Sequence, residues 1–277
     1  MRRPLVISII TLTVLLYCSA IALGLHVKSL RGLSEFPHDV ARDARFQHLA
    51  WTPPPTSSIP RGKLGDSIRR GQAIFNETPL FASHFTSSKI SCANCHAEGG
   101  IQPFASAIVG VGATFPQFNQ RAGHVISLED RIQECFVRSE NGKPIDYKGP
   151  EMKALMDYIA WLSTPEPGRK PYVGRGLVKL DDLTPDPVRG KQIYATQCAG
   201  CHGENGEGKP NIFPPLWGPD SFNDGAGMHG VKKMAAFVQH NMPQNRMGIL
   251  TPQQAYDVSE YIHEQPRPAF NPAYKHF

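Results

Sequence analysis

Beyond one N-terminal stretch the chain has no long apolar run, which excludes a protein that crosses a membrane many times. Charge is also scarce: 19% of the 277 residues are Asp, Glu, Lys or Arg, below the quarter or so usual in soluble proteins. With 40% hydrophobic residues the composition is not that of a disordered chain. No arginine-rich block with interleaved aromatics occurs, and the formal charge of +5 owes much to Arg2, Arg3, Lys28 and Arg31 near the N-terminus. Nucleic acid is therefore not an expected partner.

Arg2 and Arg3 precede Pro4–Leu25, an uncharged run of 22 residues. This is the positive start and apolar centre of an export signal. Ala20-Ile21-Ala22 offers a small-x-small cleavage site, yet a run this long also fits a single membrane anchor. Residues 1–30 are thus expected to be a signal peptide or an N-terminal membrane anchor. The protein is expected in the periplasm, either soluble or tethered to the inner membrane through residues 4–25. Cys18 follows the bulky Tyr17, which argues against lipid attachment and assigns this cysteine to the leader.

Of the six cysteines, five remain beyond the leader, and four of these form Cys92-Ala93-Asn94-Cys95-His96 and Cys198-Ala199-Gly200-Cys201-His202. C-x-x-C-H is the attachment signature of c-type haem: two thiols add to the porphyrin vinyl groups and the following His ligates iron. A disulfide framework or a zinc site also uses paired cysteines, but neither explains a His directly after both pairs. Two covalently bound c-type haems are expected, with Cys92, Cys95, Cys198 and Cys201 as attachment points and His96 and His202 as iron ligands.

The surroundings repeat as well. Arg70-Gly71-Gln72-Ala73-Ile74-Phe75 precedes the first motif and Arg189-Gly190-Lys191-Gln192-Ile193-Tyr194 the second. Each motif is followed by an amphipathic helix with an aromatic-Ile pair, Tyr158-Ile159 in Glu151–Ser163 and Tyr261-Ile262 in Pro252–Glu264. Further helices are expected over Asp66–Asn76, Leu128–Ser139 and Val231–His240, with Ser127 and Asp130 forming a capping box on the second of these. Trp51 to Pro55 suggests an extended arm over the first domain, and Thr164 to Pro187 is rich in Pro and Gly. The expected architecture is all-α: two tandem cytochrome c-type domains, each enclosing one haem. Residues 31–165 hold the arm and a catalytic first domain, 166–187 the linker, and 188–277 an electron-transfer second domain.

The sixth ligands differ between the halves. Asn241-Met242-Pro243 lies 40 residues after His202, where a thioether can reach iron and raise its potential. Met247 is the runner-up, Met228 and Met234 are gap-fillers, and Lys232 and Lys233 are read as solvated. The first half has Cys135 instead, 39 residues after His96. It is either a buried free thiol or a ligand; an unpaired cysteine in an oxidising compartment favours a functional role. On a helix, Arg131 and Arg138 share its face, with Arg121 upstream. Such cations favour the thiolate, unless they only pair with Glu129, Asp130 and Glu134. A thiolate lowers the iron potential and makes this half the better reaction site. No acid–base pair is evident near Cys135.

With these residues in view the chain resembles the di-haem thiosulfate dehydrogenases. The resemblance runs through Phe115-Pro116-Gln117-Phe118, Arg121, Asp130-Arg131-Ile132, Cys135-Phe136, Arg138-Ser139 and Asn141-Gly142-Lys143-Pro144. It continues in Phe222-Asn223-Asp224-Gly225-Ala226-Gly227-Met228, Asn241-Met242-Pro243 and Gln265-Pro266-Arg267-Pro268. It implies oxidative coupling of two thiosulfates to tetrathionate, with two electrons passed to an external acceptor such as a small cytochrome c. The catalytic haem would then carry His96 and Cys135, with Arg121 and Arg131 binding anions and Arg138 added from the helical geometry. The exit haem would carry His202 and Met242. Some members have Lys before that methionine and exchange ligands; Asn241 here speaks against such a switch. Cys135 would either stay on iron or carry a sulfane sulfur. The competing functions are a di-haem electron carrier without substrate chemistry, a tetrathionate reductase, a di-haem peroxidase and a cytochrome that couples thiosulfate to a carrier protein.

Overall fold

In the computed structural model, which describes residues 54–164 and 174–277, the glycine of each repeated Arg-Gly motif lies where two helices cross. The helices that carry the fold are α1 (Lys63–Asn76), α2 (Leu128–Glu134), α3 (Pro150–Leu162), α4 (Pro187–Ile193), α5 (Val231–Asn241) and α6 (Pro252–His263). Helix α1 crosses α3 at Gly71, where an added Cβ would stand 2.0 Å from the Ala154 carbonyl oxygen. Helix α4 crosses α6 at Gly190 with the same 2.0 Å approach to the Asp257 carbonyl. Only a residue without a side chain admits two backbones this close.

Around each crossing an aromatic pair closes the core. Phe75 lies against Tyr158 and Tyr194 against Tyr261, both with ring centroids 5.5 Å apart. One hydroxyl in each pair pins the loop after the C-x-x-C-H turn: Tyr158 donates to the Gly99 carbonyl at 2.8 Å and Tyr194 to the Gly203 carbonyl at 2.7 Å. The hydroxyl comes from the last helix in one half and from the first helix in the other, so the two halves solve one problem with exchanged residues.

Several expectations shift in detail. Helix α2 is capped as read, Ser127 Oγ accepting from the Asp130 N–H. It then changes at Cys135 into a π-helical turn, Cys135–Ser139, so the α-helical spacing that aligned Arg138 with Cys135 does not hold. The helical domains also contain four short strands: β1 (Ala105–Ala107), β2 (Gln117–Asn119), β3 (His124–Ile126) and β4 (Gly176–Leu177). β2 and β3 form a hairpin pairing Phe118 with Val125, and β1 pairs antiparallel with β4. The exit of the expected linker is thus hydrogen-bonded onto the first domain, with Arg175 Nε donating to the Val109 carbonyl at 3.2 Å. Its residues 165–173 lie outside the described part, as do the leader, residues 4–25 and Trp51 to Pro53 of the arm. Among the described residues no helix is long and apolar enough to cross a membrane. The rest of the arm packs on α3, where Trp161 Nε1 donates to Ser58 Oγ at 3.2 Å and Ile59 is buried.

A buried carboxylate paired with a half-exposed arginine locks the second crossing. Asp257 accepts from Arg189 Nε at 2.9 Å, from Gln253 at 2.8 Å and from the Asp186 N–H at 2.8 Å. Burial opposes its ionisation, but these donors win and hold the carboxyl below its ordinary pKa. A depressed carboxyl contributes stability above its unfolded pKa and loses it as pH falls through the folded one. The stability gap between the parent chain and Asp257→Asn should therefore be full at neutral pH and close progressively in acid, as followed by denaturant unfolding. Gly190→Ala should cost about 2–3 kcal/mol in the same assay, because the new methyl group forces the helices apart.

Candidate active site

The histidine of each C-x-x-C-H motif is set by a backbone carbonyl. His96 Nδ1 lies 2.5 Å from the Ser106 carbonyl and His202 Nδ1 2.9 Å from the Pro214 carbonyl. The carbonyl can only accept, so Nδ1 carries the proton and the Nε2 lone pair is left for a metal. Burial holds both imidazoles neutral, lowering the His96 pKa to about 4 and that of His202 in the same direction. The Cys92–Cys95 turn precedes His96 directly, and the Ala199–His202 turn follows Cys198 directly. All five described cysteines are free thiols. Among the described residues no three His, Cys, Asp or Glu side chains converge as a metal cluster would require. Two free thiols followed by a neutral imidazole with Nε2 unclaimed is the donor set of haem c, and these residues fit it.

Cys135 opens the π turn directly after α2. Arg131 Nη1 lies 3.4 Å from its Sγ, and Arg131 also lowers the pKa of His96. His96, Cys135 and Arg131 thus form one cluster. Glu134 lies within it, 3% exposed, with Arg131 at 3.3 Å, Arg121 at 3.7 Å and Asn119 Nδ2 donating at 3.0 Å. Asn119 Oδ1 in turn accepts from the Arg121 and Ala122 N–H groups, so the tip of the β2–β3 hairpin is built to hold Arg121 over the carboxylate. Side-chain exposures of 37% for Arg121 and 41% for Arg131 leave both guanidinium groups donors for an arriving anion.

The thiol itself behaves differently from the expectation. Burial pushes the Cys135 pKa up, Glu134 and Glu140 add to this, and Arg131 and Arg121 oppose it without prevailing. A neutral buried thiol of this kind becomes a thiolate when a metal displaces its proton. Arg138 also departs from the expected face. Its guanidinium lies 4.0 Å from the Phe270 ring and donates to the Phe277 carbonyl at 2.9 Å, binding the C-terminal segment while remaining close enough to feel the charges of Arg121, Glu134 and Arg131.

Three residues near the site were not read from the sequence. Glu134 appeared only as one of several ordinary partners of the arginines. Glu140 is buried, with Oε1 3.7 Å from Cys92 Sγ and Oε2 without a hydrogen-bond partner; burial raises its pKa well above the usual range. Lys233 is solvent-accessible yet close enough to Arg121 and Arg131 that their charge adds to burial in lowering its pKa. Lys232 is at the surface, paired with Asp182 at 2.6 Å. In the second half Met242 is partly buried against the core.

The fold and the paired motifs define a tandem two-domain c-type cytochrome. Residues 77–167 match the SoxA/TsdA cytochrome c domain and residues 187–266 the cytochrome c family. Thiosulfate dehydrogenase of Allochromatium vinosum is 37% identical over 232 residues, covering 80% of this chain and 86% of the relative. That of Thiomonas intermedia is 34% identical over 273 residues, 96% of this chain and 85% of the relative. The thiosulfate dehydrogenase TsdBA of Marichromatium purpuratum, in its as-isolated form, superposes with a TM-score of 0.75 at 36% identity. That match covers 82% of this chain and 51% of the TsdBA chain, so the present chain spans about half the length of that structure. The chain belongs to the thiosulfate dehydrogenase family.

Because Glu134 cancels one of the two arginine charges, Glu134→Gln should bind inert sulfate roughly tenfold more tightly, read as a competitive inhibition constant. Asn119→Ala should change sulfate binding in the opposite sense by loosening the hairpin that carries Arg121.

Proposed function

We propose that the first domain joins two thiosulfate ions to tetrathionate beside Cys135 and that the second domain delivers the two electrons to an external acceptor such as a small cytochrome c. The single observation that supports this most is the Arg131–Cys135 contact of 3.4 Å, with Arg121 close enough to act on the same thiol and Arg131 on His96. Two haems c would be held covalently through Cys92 and Cys95 and through Cys198 and Cys201, with His96 and Cys135 supplying the iron ligands of one and His202 and Met242 those of the other. Haem c iron, when bound, supplies one-electron acceptance in each domain.

The protein's own part is electrostatic. Two thiosulfate dianions repel each other, and joining their outer sulfurs requires fixed positive charge in a partly dry site. Arg121 and Arg131 bind sulfonate oxygens through planar forks suited to oxyanions. Glu134 keeps the two forks together and limits their net charge, so that a product that is still a dianion can leave. Lys233 brings a further cation from the second domain. No proton is consumed in the coupling, so no acid catalyst is needed, and the buried Glu140 acts on packing and polarity around Cys92 and Cys135. Export to the periplasm through the N-terminal run, with cleavage or anchoring at residues 4–25, accords with covalent haem attachment.

Cys135→Ala should retain two haems by intact mass yet lose thiosulfate turnover at least about a thousandfold, because the residue is a ligand and not an attachment point. Loss of one haem in that variant would refute the assignment. Arg131→Met should raise the KM for thiosulfate by roughly ten- to a hundredfold, measured with ferricyanide as acceptor.

A further inference from the structure

Between the two domains lies a small polar cluster that the reaction described above does not use. Gln102 follows His96 by six residues and is 4% exposed; Asn241, directly before Met242, is 1% exposed. Gln102 Nε2 donates to Asn241 Oδ1 at 2.7 Å and lies 3.4 Å from Met247 Sδ. Asn241 Nδ2 donates to the Phe104 carbonyl at 3.0 Å and to the Phe237 carbonyl at 2.9 Å. Both of its amide hydrogens and one oxygen lone pair are engaged, which leaves this side chain no role as an iron ligand.

The path of the chain gives the cluster its meaning. Phe104 and Ser106 both adopt the left-handed backbone region, at φ +58° and +53°, a conformation that costs residues with side chains energy and persists only where surroundings enforce it. The enforced segment contains the Ser106 carbonyl that orients His96 and the Phe104 carbonyl that receives Asn241. On the other side, Asn241 ends α5 and fixes where Met242 begins, the Met242 N–H donating to the Val238 carbonyl at 2.9 Å. Within the five-residue segment 102–106, Ser106 thus contacts His96 of one half while Gln102 and Phe104 contact Asn241, the residue preceding Met242, in the other.

Resting on the assignment of Met242 as an axial ligand, we infer that Gln102 and Asn241 form an inter-domain latch that holds the Met242 thioether on iron and keeps Met247 away from it. Gln102 is a positioning residue: it touches no reacting atom and acts through Asn241. Polar groups that orient a metal ligand are worth a large share of that ligand's affinity. A buried amide pair of this kind is also intolerant of losing one partner, because the other is left desolvated.

The test uses the full-length holoprotein in the ferric state. Imidazole is titrated while the charge-transfer band of methionine-ligated haem is followed at the red edge of the spectrum. Gln102→Leu, made in a Met247→Leu background so that the second thioether cannot substitute, should let imidazole displace Met242 about fivefold more readily. That factor is the loss of one hydrogen bond worth about 1 kcal/mol. Should Gln102→Leu fail to fold, Gln102→Glu is read the same way, since it keeps the volume and removes the donor. In either variant the thiolate signature of the first-domain haem in electron paramagnetic resonance should persist. An imidazole affinity within twofold of the Met247→Leu parent overturns the latch. A parent protein without the methionine band overturns the Met242 assignment instead, so the two failures are told apart.

Discussion

A hydrogen bond from an imidazole N–H to a backbone carbonyl is the interaction on which both halves depend. It fixes the tautomer, and it fixes the ring plane only if the carbonyl is itself fixed. In the second half the carbonyl belongs to Pro214, in a loop anchored under Tyr194 and Trp217, whose rings lie 4.9 Å apart. In the first half it belongs to Ser106, in a strand that pairs with the chain leaving the domain. The glycine crossings serve the same end at longer range, since the tyrosine hydroxyls that pin the post-motif loops project from the crossed helices. Haem contributes much of the interior of domains this small, so the protein must hold the ligands ready without a large apolar core.

Around Cys135 the balance of charge and burial departs from a simple count of neighbours. Two arginines favour the thiolate, but a buried thiol loses hydration whichever cations stand nearby, and Glu134 and Glu140 oppose the arginines. The net result is a thiol whose pKa lies above its ordinary value. The same carboxylate that disfavours the thiolate keeps Arg121 and Arg131 together, so one buried charge acts on both the sulfur and the two guanidinium groups.

What the sequence made legible was what spacing encodes. Two C-x-x-C-H motifs, the Arg-Gly repeats before them and the apolar periodicity of the last helices located both histidines, both crossings and the core faces, because each is a local pattern with one structural solution. The offset of Cys135 from His96 and the charges beside it identified the candidate site. Spacing could not reveal where regular helix gives way to a π turn. That single change re-aims Arg138 toward Phe270 and Phe277, residues more than a hundred positions away in the chain. Lys233 was hidden for the same reason, since its nearness to Arg121 and Arg131 exists only once the two domains meet. Glu134 was visible as a charge, but its burial was not, and burial turns an ordinary partner into the centre of the cluster.

Duplication explains the shared frame and also shows where it was allowed to diverge. Cys135 and Met242 stand at nearly equal distances from their histidines along the sequence, yet one opens a π turn in mid-helix and the other follows the end of α5. A thiol that must surrender its proton to iron benefits from a rigid helical seat with arginines on the neighbouring turn. A neutral thioether needs only to be steered, and the end of a helix leaves the following residue free to be set by contacts from another domain. On the proposed ligation the thiolate would lower the potential of the first site and the thioether would raise that of the second, and Gln102, Phe104 and Asn241 are hydrogen-bonded across the two domains that would hold them. These inter-domain hydrogen bonds lie on the segment whose Ser106 carbonyl orients His96, where a change of geometry in one domain is directly felt by the other.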